Sequence, residues 1–143
     1  MSRPMNDPFR KTRTAAGYLL LHGDGDATRY ARVRRLFSAL QDCDRALATG
    51  DRKPDDAIAD VLVAAADMAG REWLAAHDAD PDVQRLTTAL RGGWRAAAGH
   101  LADAYAVPNG AHAVAGVAEP TAPDLADLDA LLSRVLWTRY GPP

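Results

Sequence analysis

The sequence predicts an all-α protein: an antiparallel four-helix bundle with a short extra N-terminal helix and a long loop before the last helix. Apolar residues recur every three or four positions, the period of one helix face, and nowhere alternate over the length of a strand. Residues that favour helix starts precede the long periodic segments. Short connections join the first three of these segments, which favours antiparallel neighbours.

The length of 143 residues fits one domain that buries its own core without disulfides or a metal. We expect a flexible basic tail over residues 1–12 and a single helical domain over residues 13–143. No apolar run approaches the roughly 20 residues of a membrane-spanning helix, and no signal sequence is recognisable. Cys43, the only cysteine, is expected to be a small buried apolar residue. These features predict a cytoplasmic protein that does not interact with a membrane.

The first two helices are predicted over residues 13–22 and 27–48. The sequence HGDGD separates them, and Asp26 at its end is placed to cap the free amides of the second helix. The second helix carries one apolar face, and most of its arginines lie outside that face. The residues expected in the core from this helix are Tyr30, Val33, Leu36, Phe37, Leu40, Cys43 and Leu47.

The third helix is predicted over residues 54–77. It begins with Pro54, a favourable first-turn residue, and the carboxylates of Asp55 and Asp56 suit the positive end of the helix dipole. Its expected core residues are Ile58, Val61, Leu62, Ala65, Met68, Ala69 and Trp73.

The fourth helix is predicted over residues 81–106, with Asp80 as its cap and Pro81 in its first turn. Gly92 and Gly93 within it indicate either a bend or the close approach of another helix. Its expected core residues are Val83, Leu86, Leu90, Trp94, Ala97, Leu101 and Tyr105.

Residues 107–123 contain proline, glycine and small side chains without a helical period, which predicts a long surface loop. The last helix is predicted over residues 124–140. Its expected core residues are Leu125, Leu128, Leu131, Leu132, Val135 and Leu136.

Three large apolar residues fall outside the predicted core faces. Trp137 lies opposite the leucine-rich face of the last helix, and Val63 and Leu74 lie off the core face of the third. Exposed apolar residues on two helices are typical of a surface that binds another protein or a second copy of the chain. We expect Trp137, Val63 and Leu74 to belong to such a surface.

The sequence RYARVRRLF, residues 29–37, concentrates arginines outside the core face. Residues 1–35 carry eight Arg or Lys against three Asp, a net charge of +5, and no carboxylate lies within the arginine-rich segment. A solvated helix face is a sufficient explanation. The alternative is phosphate binding to nucleic acid without sequence specificity. The candidate phosphate-binding residues are Arg29, Arg32, Arg34 and Arg35.

Histidines and aspartates lie at two helix ends. In an up-down topology the ends of the first and third helices share one end of the bundle, which would bring His22, His77 and Asp78 together. Imidazole and carboxylate groups are metal ligands. The His77-Asp78 pair resembles that of helical metal-dependent phosphohydrolases, although here it lies where a helix ends. The aspartates Asp26 and Asp80 are explained as helix caps.

Two carboxylates fall within predicted core faces, Asp44 in the second helix and Glu72 in the third. A buried carboxylate needs a partner. Folding the two helices as a hairpin places Glu72 near Tyr30 and Arg29, with Arg85 as the candidate partner from the fourth helix. Asp44 and Glu72 lie too far apart for a catalytic pair, so we expect structural roles.

The motifs of common enzyme classes are absent: the sequence has no glycine-rich phosphate loop after a strand, no Gly-x-Ser-x-Gly and no Cys/His metal spacing. We expect no catalytic residue and no cofactor. The sequence favours a non-catalytic helical protein-interaction or regulatory subunit, whose partner is another protein or a second copy of itself. A nucleic-acid-associated subunit is the first alternative, and a metal-dependent hydrolase is the second.

Overall fold

The structure is a computed structural model that describes residues 8–22, 26–96 and 122–141. Within these ranges all regular secondary structure is helical, which confirms the all-α prediction. The predicted tail up to residue 7, the end of the fourth predicted helix and the loop up to residue 121 lie outside the described residues. The helices are α1 (Arg10–Leu21), α2 (Ala27–Thr49), α3 (Pro54–Ala69), α4 (Arg71–Ala76), α5 (Pro81–Gly92) and α6 (Ala122–Tyr140), with a 3₁₀ turn at Trp94–Ala96.

Helix α3 lies at the centre of the helix packing and contacts α2, α4, α5 and α6. Helices α2 and α3 form an antiparallel hairpin, because a short connection joins them and an Arg35–Asp67 ion pair joins the middle of α2 to the last turn of α3. Helix α1 contacts α2 and α6. These contacts place one apolar core around α3. The four-helix antiparallel arrangement itself stays a prediction.

The predicted caps and most predicted core residues of α2 are confirmed. Asp26 accepts a hydrogen bond from the backbone N–H of Arg29 at 3.1 Å. Phe37 and Leu47 are only partly buried and pack against the core. Tyr30 contradicts the prediction, because 51% of it is exposed. None of residues 26–32 is buried, so this end of α2 projects beyond the core. The buried apolar residues of α2 are Val33, Leu36, Ala39, Leu40, Cys43 and Ala46.

The third predicted helix is interrupted, which corrects the prediction of one helix over residues 54–77. Gly70 has φ +97° and ψ 122°, outside the helical region, and the short helix α4 follows it. Because the break changes the direction of every later side chain, Glu72 is exposed instead of facing the core. For the same reason Leu74 is buried, with only 6% exposed.

The fourth predicted helix ends early, at Gly92, so its two glycines terminate the helix rather than bend it. Gly93 has φ +95°, and the 3₁₀ turn follows. The predicted cap is confirmed, since Asp80 accepts hydrogen bonds from the N–H groups of the first turn. Trp94 is buried as predicted, and its indole Nε1 donates to Asp55 Oδ1 at 2.8 Å.

Both chain-terminal helices begin earlier than predicted. Helix α1 begins at Arg10, so residues 10–12 are helical rather than part of a tail, and α6 begins at Ala122. Every predicted core residue of α6 is buried. None of the described helices is long and apolar enough to span a lipid bilayer.

Candidate anion-binding cleft

The three residues expected at an apolar interaction surface occupy different environments. Trp137 is half-buried and packs edge-to-face on Tyr18, with ring centroids 5.3 Å apart. Val63 is partly buried. Leu74 is a core residue, so its assignment to an exposed surface is wrong. Among the described residues the exposed large apolar side chains are instead Leu21 and Tyr30.

The histidines expected to bind a metal are engaged with aromatic rings. The His22 ring lies against Tyr18, with ring centroids 4.3 Å apart, and the His77 ring stacks on Trp73 at 4.2 Å. His77 Nδ1 also lies 2.8 Å from the Trp73 carbonyl oxygen. Within the described residues no three His, Cys, Asp or Glu side chains converge as metal ligands. His22, His77 and Asp78 are therefore not brought together as three ligands within the described residues.

The two carboxylates expected in the core are structurally separate. Asp44 pairs with Arg13 of α1 at 2.7 Å, a partner that the hairpin argument did not foresee. Glu72 is exposed, and Arg85, its suggested partner, pairs with Asp127 at 2.8 Å. Burial, with a smaller effect of the Asp44 charge, raises the pKa of the Cys43 thiol to about 12. Cys43 is therefore protonated and unsuited to nucleophilic chemistry at neutral pH.

The arginines of the basic segment make different contacts. The Arg29 guanidinium lies over the Tyr140 ring, 4.6 Å from its centroid. Arg34 Nη1 donates to the Tyr30 hydroxyl at 3.1 Å. Arg35 forms an ion pair with Asp67. Asp67 lies on α3, so the sequence next to Arg35 does not indicate this partner.

A cleft of about 570 Å³ lies where α3 ends at Gly70. Its wall combines residues of α2, α3, α4 and α6, so four arginines surround it together with two carboxylates and one indole. The lining residues are Arg32, Arg35, Asp67, Gly70, Arg71, Glu72, Trp73 and Arg139. Only Arg32 and Arg35 among them belong to the arginines predicted to bind phosphate.

Asp67 orients two of the cleft arginines. Its Oδ2 accepts a hydrogen bond from Arg35 Nη1, and its Oδ1 accepts one from Arg71 Nε at 3.1 Å. Both guanidinium groups remain more than half exposed, and each has further N–H donors beyond the one that binds Asp67. Within the described part of the chain, Arg32 takes part in no ion pair.

Arg139 completes the cleft from the last turn of α6. Its Nε donates to the carbonyl oxygen of Ala69 at 2.9 Å, one of the acceptors left open where α3 ends. Its guanidinium lies 5.9 Å from the Trp73 ring centroid and 4.8 Å from that of Tyr140. The Tyr140 hydroxyl donates to the Met68 carbonyl and fixes the same turn.

The residues that sequence reasoning missed are Asp67, Arg71, Trp73 as a lining residue, and Arg139. The available signal was Gly70, a glycine followed by charged residues, which is typical of a helix end. Comparisons with protein-family models, with curated proteins and with solved structures find no match to this chain.

Proposed function

We propose that the protein is a non-catalytic helical interaction or regulatory subunit that binds an anionic group of a partner in the cleft at Gly70. The observation that carries this proposal is the convergence of four arginines from three helices on one concavity. Guanidinium groups present planar arrays of N–H donors that suit carboxylate and phosphate groups. The proposal includes a cytoplasmic location, and the partner is another protein or a second copy of the chain.

The chemistry of the cleft favours binding over catalysis. Both oxygens of the Asp67 carboxylate already accept hydrogen bonds from arginines, so this group positions Arg35 and Arg71. Glu72 is exposed to solvent. The described lining residues also include no histidine, the side chain that most often serves as a general acid or base.

Association with nucleic acid is the second candidate, because exposed arginines such as Arg32 and Arg34 on α2 are suited to phosphate contacts. The aromatic residues argue against recognition of single strands, which uses open aromatic faces to stack bases. Trp73 stacks on the His77 ring, and the Arg139 guanidinium lies 5.9 Å from the Trp73 ring centroid. We therefore rank nucleic acid below a protein as the candidate partner.

Fluorescence anisotropy tests the two candidates with a labelled acidic peptide, duplex DNA and single-stranded RNA at low salt. We expect the peptide to bind, and Arg32→Gln to weaken it about tenfold, because Arg32 has no structural ion pair to lose. Arg34→Gln is the matched control, since Arg34 lies on the same helix outside the cleft. Equal effects of the two substitutions would contradict binding in the cleft.

Nucleic acid binding has its own signature in the same experiment. If Arg32, Arg34 and Arg35 contact phosphates of duplex DNA, log affinity should fall against log salt concentration with a slope of about −2.7. A triple glutamine variant should flatten that slope. Light scattering at high protein concentration tests whether the partner is a second copy of the chain.

A further inference from the structure

The charge of the cleft suggests which anion it accepts. Four arginines and two carboxylates line it, so the lining carries two net positive charges. Arg35 and Arg71 each donate one hydrogen bond to the Asp67 carboxylate. Both guanidinium groups therefore keep further N–H donors for a ligand. Arg32 and Arg139 add donors from α2 and α6.

We infer that the cleft binds a phosphate monoester as its dianion. This inference rests on the proposed function and names the anionic group of the ligand. A monoester phosphate has three terminal oxygens and carries close to two negative charges at neutral pH, whereas a carboxylate has two oxygens and one charge. Of a carboxylate, a phosphodiester and a phosphate monoester, only the monoester carries a charge that matches the net charge of the cleft. Its three oxygens can also accept hydrogen bonds from arginines of three helices. A nucleic acid phosphodiester carries one charge per phosphate.

The aromatic residues indicate that the cleft recognises a phosphate group and not a nucleic-acid base. One face of Trp73 is stacked on His77, with ring centroids 4.2 Å apart, and Arg139 lies on the ring as well. Tyr140 is approached by the guanidinium groups of Arg29 and Arg139. The phosphate therefore belongs either to a phosphorylated side chain of a partner protein or to a small phosphate ester.

Isothermal titration calorimetry of the full chain with inorganic phosphate, at pH 7.5 and low salt, tests the inference. We expect Arg32→Gln to weaken phosphate binding about tenfold, because it removes one charged donor group. Glu72→Gln should strengthen binding about threefold, because it removes a negative charge from the wall. Arg34→Gln, outside the cleft, should leave binding unchanged. Affinity should fall as the pH drops below the second pKa of the phosphate ligand, where that ligand loses its second charge.

One further ligand, a phosphoserine peptide, identifies the source of the phosphate. A phosphoserine peptide that binds at least tenfold more tightly than inorganic phosphate assigns the cleft to a phosphorylated partner. Equal affinities assign it to a small phosphate ester, and both results support the inference.

Other outcomes overturn the inference. Absence of phosphate binding overturns it, and so do equal losses in Arg32→Gln and Arg34→Gln. If an acidic unphosphorylated peptide binds in an Arg32-dependent way and phosphate does not, the inference fails while the proposed function stands. If no anion binds in an Arg32-dependent way, both fail.

Discussion

The Asp129 carboxylate of α6 caps the N-terminus of α1 at Thr12. Asp129 Oδ1 accepts hydrogen bonds from the Thr12 backbone N–H and hydroxyl, both at 2.7 Å, and Oδ2 accepts one from the Lys11 N–H at 2.9 Å. Thr12 and Asp129 are both buried. The first amides of a helix have no acceptor within the helix, and Phe9 at the N-cap supplies none. The acceptor comes instead from a residue 117 positions later.

Asp129→Ala should lower the free energy of unfolding by about 3 kcal/mol, because it leaves two amides without their acceptor. The buried Thr12 hydroxyl keeps only its longer contact, 3.3 Å, with the carbonyl oxygen of residue 129. Thr12→Val removes only the hydroxyl bonds and should cost about 1 kcal/mol. Urea denaturation measures both. Thr138→Ala, an exposed change on the same helix, is the control and should stay within about 0.5 kcal/mol of wild type. A cost for Asp129→Ala no larger than this control would disprove the capping role.

Trp137→Ala should lower stability by about 2 kcal/mol, because Trp137 packs on Tyr18 and against the core. Thermal denaturation and light scattering together measure stability and association. Lost association with unchanged stability would instead favour the interaction surface that the sequence suggested.

Two glycines should respond to alanine with opposite signs. Gly70→Ala should cost about 1 kcal/mol, because φ is +97° and no neighbouring atom would clash with the new methyl group, so the cost is conformational. Gly17→Ala lies within α1 with open space around its Cα and should add about 0.5 kcal/mol. Chemical denaturation compares the two variants. Stabilisation by Gly70→Ala would show that the helix break is not required.

The contact of Asp55 with Trp94 and Arg95 should make stability depend on pH. Burial alone raises the pKa of Asp55, but the hydrogen bonds from Trp94 Nε1 and Arg95, with the Arg95 charge, outweigh burial and lower the pKa below its ordinary 3.8. A lowered pKa adds stability above pH 3.8 that is lost as pH falls through the pKa of the folded state.

Asp55→Asn should therefore destabilise the protein at pH 7, and the difference from wild type should shrink towards pH 3. Denaturation followed by tryptophan fluorescence at several pH values measures this dependence. The exposed neighbour Asp56, changed to Asn, serves as the control. A difference for Asp55→Asn that is independent of pH would refute the assignment.

Features set by local periodicity could be predicted from the sequence. The leucine-rich face of α6 and the core face of α2 follow from the spacing of apolar residues, and Asp26 and Asp80 act as the caps that their positions indicate. Such features depend only on residues close together in the chain.

Features that join distant segments could not be predicted in this way. A single glycine inside a helical pattern costs only about 1 kcal/mol, so periodicity alone could not identify Gly70 as a helix end. The pairing of Arg35 with Asp67, and the position of Arg139 beside Ala69, depend on tertiary packing. The basic segment of α2 therefore indicated only two of the four cleft arginines, Arg32 and Arg35.

The dependence of α1 on α6 has a consequence for folding during synthesis. The ribosome completes α1 more than a hundred residues before it makes the carboxylate that caps this helix. Until then α1 lacks both its cap and much of its packing surface, while the α2–α3 hairpin is already able to form through contacts between neighbouring segments. The N-terminal helix should thus be among the last parts of the chain to reach its native structure.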